Sequence, residues 1–212
     1  MSAGRGVAAG PVGGRRWAGV LLAVEAVALL VVVAGGRDPA LRPVTAAFGG
    51  ASRHLIAHVD IGVALGVVVA LLAVGRFVPR RLGAWIDPLL TWPIVVFVVA
   101  LLNGVEDVGA LVGIYALASG GVLFGMFQGR GPRHALGFGS AVGIVPWGIV
   151  AFQQVGSMIV GSPVGGGVVL VTLVALAVAV AEFAAVWRGA GAAALWLRVV
   201  GLSVVAWVVV LS

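Results

Sequence analysis

Five ionisable side chains lie inside long apolar stretches of the sequence, where a charge is costly. They are three acids and two bases: Glu25, Arg76, Asp87, Glu182 and Arg198. A charge at the centre of a bilayer costs at least about 2.5 kcal/mol, so such residues usually face the interior of a helix bundle and pair with one another. Counted at about 1.5 Å per residue from the nearest arginine clusters, all five lie at a similar depth. The sequence therefore predicts one layer of compensating charges inside the protein.

Three of these residues also allow simpler interpretations. Arg76 is followed closely by further arginines, so its side chain could snorkel to the membrane surface, and Glu182 could do the same in a last helical turn. Asp87 precedes Pro88, a favoured first helical residue, and could be an N-cap. A helix that starts at Pro88 has only about 15 residues before Asn103, too few to span a bilayer. We therefore place Asp87 within a longer third helix.

The remaining polar residues do not support enzymatic chemistry. The chain has no cysteine, which excludes disulfides, thiolate metal sites and cysteine nucleophiles. It contains no hydrolase elbow, phosphate-binding loop or metal-protease motif. His54 and His58 could share a helical face, but two histidines are a weak metal signal and a solvated loop explains them better. Glu106 and Asp107 are expected to cap the helix that follows them. We expect neither an enzyme nor a metal site.

The helices that position these charges must be formed by the long apolar runs of the sequence. The 212-residue chain is 62% hydrophobic and 9% charged, whereas a soluble domain is about a quarter charged. A spanning helix needs about 20 apolar residues. Seven runs approach that length: 17–34, 59–77, 82–102, 108–128, 135–154, 164–187 and 190–211. The sequence predicts an all-α bundle of seven transmembrane helices in a single domain, 16–212, after a flexible cytoplasmic tail, 1–15. The first run could be a cleaved signal peptide, but it exceeds the usual apolar core of one.

The arginines predict the orientation of the bundle. All 13 basic residues are arginine, so the chain has no lysine. With seven spans, nine arginines lie on the side of the N-terminus: Arg5, Arg15, Arg16, Arg76, Arg80, Arg81, Arg130, Arg133 and Arg188. The positive-inside rule therefore places the N-terminus in the cytoplasm and the C-terminus outside, with the long first connection, 35–58, also outside. Arginine clusters between apolar runs favour a multi-pass protein of the cell membrane, in contact with the lipid bilayer, over a nucleic-acid-binding protein.

Several short blocks of the sequence resemble one family. The blocks are Arg42-Pro43-Val44-Thr45, Trp85-Ile86-Asp87, residues 104–111, Leu123-Phe124-Gly125 and Gly143-Ile144-Val145-Pro146-Trp147. Together they resemble the heliorhodopsins, seven-helix relatives of the microbial rhodopsins with inverted topology, over most of 16–207. The resemblance implies a rhodopsin-like bundle, a photoreceptor-like sensory role and a homodimer. The orientation that the arginines predict is also the one known for this family.

The departures from the family pattern concern its chromophore. In heliorhodopsins a lysine of the seventh helix binds retinal as a Schiff base, and an acid of the third helix is its counterion. The resemblance places Asp87 at the counterion position and Leu202 at the lysine position. A Schiff base needs a primary amine, so we expect no covalent retinal. Two histidines of the family pattern correspond to Leu22 and Arg76. Arg198 lies one turn before Leu202 and could present its positive charge to Asp87.

Three functions remain open at this point. The first, which we favour, is a lysine-less heliorhodopsin-like module that senses a signal or binds a partner protein, and is not an ion pump. The second keeps retinal or another apolar small molecule non-covalently in a pocket lined by Trp92, Trp147 and Phe183. The third is a small transporter or channel that uses the buried charges, although the sequence has no clear inverted repeat.

Overall fold

The computed structural model describes residues 12–35, 41–49, 52–79, 89–127 and 134–211. Within these ranges the chain forms eight helices and one β-hairpin. The helices are α1 (Val12–Ala34), α2 (Ile61–Phe77), α3 (Trp92–Leu102), α4 (Val108–Phe127), α5 (His134–Gly143), α6 (Val145–Ile159), α7 (Gly166–Trp187) and α8 (Gly191–Leu211), and the strands are β1 (Leu41–Ala47) and β2 (Arg53–Asp60). Most of the predicted tail and the start of the predicted third helix, Asp87 included, lie outside the described residues.

Five described helical segments are long and apolar enough to cross a membrane: α1, α4, α5 with α6, α7 and α8. Their outward faces carry large exposed apolar side chains such as Trp17, Phe152 and Ile159, a surface that suits lipid rather than water. The prediction of a mainly helical, multi-pass membrane protein is confirmed at this level. The apolar helices α2 and α3 are shorter, at 17 and 11 residues. At about 1.5 Å per residue, the described part of α3 cannot by itself cross a hydrocarbon core of about 30 Å.

The predicted fifth span, 135–154, is interrupted and ends later than expected. Helices α5 and α6 meet at Ile144, and together they cover 26 residues, His134–Ile159. Pro146 is the second residue of α6. Proline has no backbone N–H, and its ring collides with the carbonyl four residues earlier, so it disturbs a helix at this point. The break therefore follows from a residue that the sequence already shows.

The first connection, predicted as a solvated loop, forms an antiparallel hairpin and so adds two strands to the predicted all-α fold. Its strands pair from Leu41 with Asp60 to Ala47 with Arg53. Gly49, just after β1, has φ +58°, a left-handed conformation that glycine adopts without strain. A turn is therefore favoured at the point where the chain reverses direction.

The hairpin is attached to the start of α4. The Thr45 backbone N–H donates to the Glu106 carbonyl oxygen over 2.8 Å. The Asp107 Oδ1 atom accepts from the Ala110 N–H at 2.9 Å, as expected for the capping residue of this helix. His54 and His58 both lie on β2 and are exposed, so they share a strand and not a helical face.

Three pairs of consecutive helices pack closely through glycine: α1 with α2, α4 with α5, and α7 with α8. An added Cβ on each glycine would lie within 3 Å of the other helix; the contacts are Gly66 with Leu30, Gly139 with Gly121, and Gly201 with Val178. Small residues let transmembrane backbones approach one another in this way. Helix α3 lies between the pairs and contacts α2, α4, α6 and α7. Because α3 is apolar on all sides, it is suited to this central position.

Candidate functional site

A cavity of about 700 Å³ lies within the bundle, bordered by α3 to α8. The three aromatic residues expected to form a pocket, Trp92, Trp147 and Phe183, come from α3, α6 and α7, and all three line this cavity. Its volume is in the range of small-molecule sites, which span about 300–1,000 Å³. Most of the wall is hydrocarbon or aromatic, so the cavity suits an apolar molecule.

The cavity reaches the outer surface of the bundle. Ile144, at the break between α5 and α6, and Val180 on α7 both line the cavity. Both side chains are also 56% exposed, so they border an opening. Helices α6 and α7 follow one another in the chain but make few contacts. In a membrane, this opening would face lipid and give an apolar molecule a route into the bundle.

One ion pair supplies the charged part of the cavity wall. The Arg198 guanidinium, through Nη2, donates to Glu182 Oε1 and so connects α8 with α7. The side chains of Arg198 and Glu182 are only 18% and 12% exposed, and both residues line the cavity. Within the described part of the chain, the second carboxylate oxygen, Oε2, receives no hydrogen bond. The cavity thus combines apolar walls with one polar end that contains an ion pair.

Glu25 has different partners from the ion pair. Its carboxylate accepts a hydrogen bond from Ser203 Oγ at 2.9 Å and another from Trp207 Nε1 at 3.1 Å. These contacts join α1 to α8. Among the described residues of the predicted charge layer, Glu182 and Arg198 therefore meet at the cavity, whereas Glu25 lies between α1 and α8. Sequence reasoning missed both partners of Glu25, although Ser203 and Trp207 are spaced to share one helical face.

Arg76 is buried within the protein near the end of α2. It is only 8% exposed, which favours an interior position over the alternative in which it snorkels to the membrane surface. Helix α1 approaches closely at this point, since a Cβ added to Gly19 would lie 2.9 Å from the Arg76 Cβ. Asp87, the expected counterion and the suggested partner of Arg198, lies outside the described residues.

The position that the resemblance assigns to the retinal-binding lysine is filled by a packed aliphatic side chain. Leu202 is 2% exposed and belongs to the hydrophobic core. It lies one turn after Arg198, which faces the cavity. Leu22, at one of the family's histidine positions, is also buried in this core. Neither side chain offers an amine or an imidazole to a ligand.

A buried network of polar side chains joins three helices at the end of the bundle nearer the hairpin. Sequence reasoning did not predict this network. Asn103, at the end of α3, is 1% exposed. Its Nδ2 donates to the Val99 carbonyl and to Thr172 Oγ1, each at 2.8 Å, and its Oδ1 accepts from Gln154 Nε2 at 2.8 Å. Asn103 thus bridges α6 and α7, which otherwise make few contacts. The sequence does show an uncharged polar residue, Asn103, Gln154 or Thr172, in each of three apolar segments. It does not show that these residues contact one another.

The described residues include no group of three or more histidine, cysteine, aspartate or glutamate side chains that could hold a metal ion. Comparison with known proteins gives no match, either to protein-family models or to curated sequences. A function must therefore be argued from the cavity, its ion pair and the sequence blocks described above.

Proposed function

We propose that the chain is a heliorhodopsin-like membrane protein with seven spans that senses a signal or binds a partner without a covalent chromophore. If α5 and α6 count as one interrupted span, the described helices and the predicted extension of α3 supply seven segments. The arginine distribution supports a cytoplasmic N-terminus and an outer C-terminus. In this orientation the polar end of the cavity lies in the cytoplasmic half of the membrane.

The main support for this proposal is the buried position of Leu202, where the family has its retinal-binding lysine. The side chain is buried in the core, and the chain contains no lysine that could replace it. Covalent retinal chemistry therefore lacks its amine. The described acids in the membrane segments also have partners: Glu182 pairs with Arg198, and Glu25 accepts two hydrogen bonds. A sensor needs such a stable interior, whereas a pump needs groups that exchange ions or protons.

A measurement of ion flux distinguishes this sensory function from transport. Purified protein in proteoliposomes should carry no proton or ion current above that of empty vesicles, in light or in darkness, with a pH gradient or a membrane potential applied. A current that depends on the protein and disappears in the Glu182→Gln variant would instead support a transporter that uses the buried charges.

The cavity favours a second and more specific function, the non-covalent binding of retinal or another apolar molecule. Such a ligand could be the signal that the protein senses. The support is the convergence of Trp92, Trp147 and Phe183 on one cavity with an opening in the outer surface. Apolar walls with a few polar groups are typical of small-molecule sites.

Titration of the purified protein with retinal tests ligand binding. We expect a saturable, shifted absorption band that is lost when the protein is denatured, because no Schiff base holds the ligand. Val180→Trp should weaken the binding by obstructing the opening. Val155→Trp is the matched control, because Val155 is also exposed but does not line the cavity. Identical, non-saturable signals from all three proteins would rule out this function for retinal.

A further inference from the structure

Trp147 lies on the inward face of α6 and forms part of the cavity wall. Its side chain is only 8% exposed, and Val150, about one turn further along the same face, is 1% exposed. Residues three apart on a helix are neighbours on its surface. The part of the indole ring that remains accessible therefore opens into the bundle and not toward lipid.

The indole N–H of Trp147 has no acceptor among the described residues. Its Nε1 atom donates no hydrogen bond to them, and it is not one of the polar atoms that are fully enclosed without a partner. It therefore keeps some accessible surface. Trp207 shows the usual arrangement, since its Nε1 donates to Glu25 Oε1 at 3.1 Å. A buried indole usually finds such a partner, because an unpaired donor in apolar surroundings is costly.

The surroundings of Trp147 in the cavity are apolar. Trp147, Val96 and Ala179 each lie seven residues, about 10 Å along the helix, from the member of the Asn103 network on the same helix. All three line the cavity, so they form one level of its wall. Glu182 lies three residues beyond Ala179, about 5 Å further along α7. The side chains that α3 and α7 contribute at the level of Trp147 are therefore hydrocarbon.

The chemistry of the indole restricts the polar group of a ligand at this level. An indole N–H can only donate a hydrogen bond, so the ligand must accept one. A carbonyl oxygen accepts and brings no hydrogen of its own. A hydroxyl group can also accept, but its hydrogen would then need an acceptor, and the side chains of Val96 and Ala179 offer none. The group that fits this level of the cavity is therefore a carbonyl.

We propose that the cavity binds an apolar carbonyl compound from the membrane, and that the Trp147 N–H donates a hydrogen bond to its carbonyl oxygen. This inference rests on the non-covalent ligand function proposed above. It names the class of ligand and the residue that selects it. The opening beside Ile144 and Val180 admits such a molecule from the lipid. The carbonyl stays intact, in contrast to the Schiff base that the resemblance implies.

Two probes with the same hydrocarbon body test the carbonyl: retinal, and the hydrocarbon in which a methyl group replaces its aldehyde. Binding is measured in phosphatidylcholine nanodiscs from the absorption band of the probe itself, so that removal of a tryptophan does not alter the readout. Protein-free nanodiscs correct for partition into lipid. Retinal should bind about tenfold more tightly than the hydrocarbon, which corresponds to about 1.4 kcal/mol. Equal affinities would overturn the inference.

Trp147→Phe should remove most of this preference, because phenylalanine keeps an aromatic wall but has no N–H. Trp207→Phe is the matched control. It also removes an indole N–H from a membrane helix, but Trp207 does not line the cavity, so this variant should keep the preference of the wild-type protein. A preference for retinal that survives in Trp147→Phe would mean that another group binds the carbonyl, and would contradict the role of Trp147.

A measurement on the wild-type protein decides the question if Trp147→Phe does not fold. The ultraviolet resonance Raman band that reports hydrogen bonding of indole N–H should shift when retinal binds, and should not shift with the hydrocarbon. Saturable binding of retinal without this shift would contradict the inference.

The outcomes separate this inference from the function on which it rests. If both probes bind with similar saturable affinity, the ligand function stands and the selection of a carbonyl by Trp147 is wrong. If neither probe binds, both proposals fail for this hydrocarbon body.

Discussion

Arg198 and Leu202 lie one helical turn apart on α8, yet Arg198 lines the cavity whereas Leu202 is buried in the hydrophobic core. Residues four apart share a helical face but differ in direction by about 40°. At this face, the difference is enough to direct one side chain to the cavity and the other into packed hydrocarbon. A long side chain at position 202 could still extend along the helix surface toward the cavity.

The double variant Leu202→Lys with Arg198→Ser should therefore form a visible pigment when retinal is added. The lysine supplies the primary amine, and the serine removes the positive charge one turn away. Leu202→Arg with Arg198→Ser is the control, because a guanidinium does not form the Schiff base. Absorption spectra before and after borohydride reduction report the covalent bond. A folded but colourless lysine variant would count against the alignment with heliorhodopsins.

Arg198→Leu should destabilise the protein by about 1–3 kcal/mol, because it leaves the Glu182 carboxylate without its ionic partner. Addition of Glu182→Leu should recover part of this loss. Unfolding in SDS measures the stability of each single variant and of the double variant. Strictly additive effects would contradict the ion pair. Asp87→Asn in the same background tests the pairing that the resemblance suggested, and coupling there would indicate that Asp87 also contributes.

Asn103→Ala should cost about 1–2 kcal/mol, because it removes hydrogen bonds that join three helices and leaves Thr172 and Gln154 with fewer partners. Gln153→Ala is the control, since the hydrogen bond from Gln153 Nε2 to the Gly104 carbonyl is long, at 3.4 Å. Thermal unfolding in detergent should show a clear loss for the first variant and almost none for the second. Equal stability of the two variants would mean that the network contributes little.

Gly201→Ala should destabilise the contact between α7 and α8 by about 1–3 kcal/mol. The new Cβ would lie 2.4 Å from the Val178 Cγ1 atom, closer than packed atoms allow. Val178→Ala in the same chain should relieve the clash and restore most of the stability. Gly148→Ala serves as the control, because nothing lies within 4 Å of its added Cβ. A neutral Gly201→Ala variant would contradict the close approach of the two helices.

The predicted orientation can be tested directly, because the natural sequence contains no cysteine. A membrane-impermeant maleimide should label Ser212→Cys on intact cells. It should label Ser2→Cys only after the membrane is permeabilised. With the proposed seven spans, nine arginines lie on the side of the N-terminus, and the positive-inside rule places that side in the cytoplasm. The opposite labelling pattern would show that the positive-inside argument fails here and that the cavity lies in the outer half of the membrane.

The helices were the most predictable part of the fold, because the backbone in lipid must satisfy its own hydrogen bonds and long apolar runs therefore become helices. The hairpin was not predicted, since its pairing and its hydrogen bond from Thr45 to Glu106 depend on tertiary contact. Pro146 was visible in the sequence, but it did not indicate whether the helix would bend or break there.

The individual ionisable residues could be found from the sequence, but their partners could not. Composition and depth single out Glu25 and Arg198 as costly residues. Their contacts depend on how each helix is rotated about its axis, and this rotation is set by packing. For that reason Glu25 could not be assigned to Ser203, nor Arg198 to Glu182, before the structure was known. The Asn103 network was missed because uncharged polar residues are common in transmembrane helices.

The three glycine contacts divide most of the bundle into closely packed helix pairs, and the cavity lies between two of these pairs. On one side are α4 and α5, continued by α6, and on the other side are α7 and α8. Among the described residues, the Asn103 side chain joins the two sides at the end nearer the hairpin. A bound molecule would therefore act as a spacer that sets the separation of the two helix pairs at the opposite end. The size of the ligand would then set the distance between the last turns of α4 and α7.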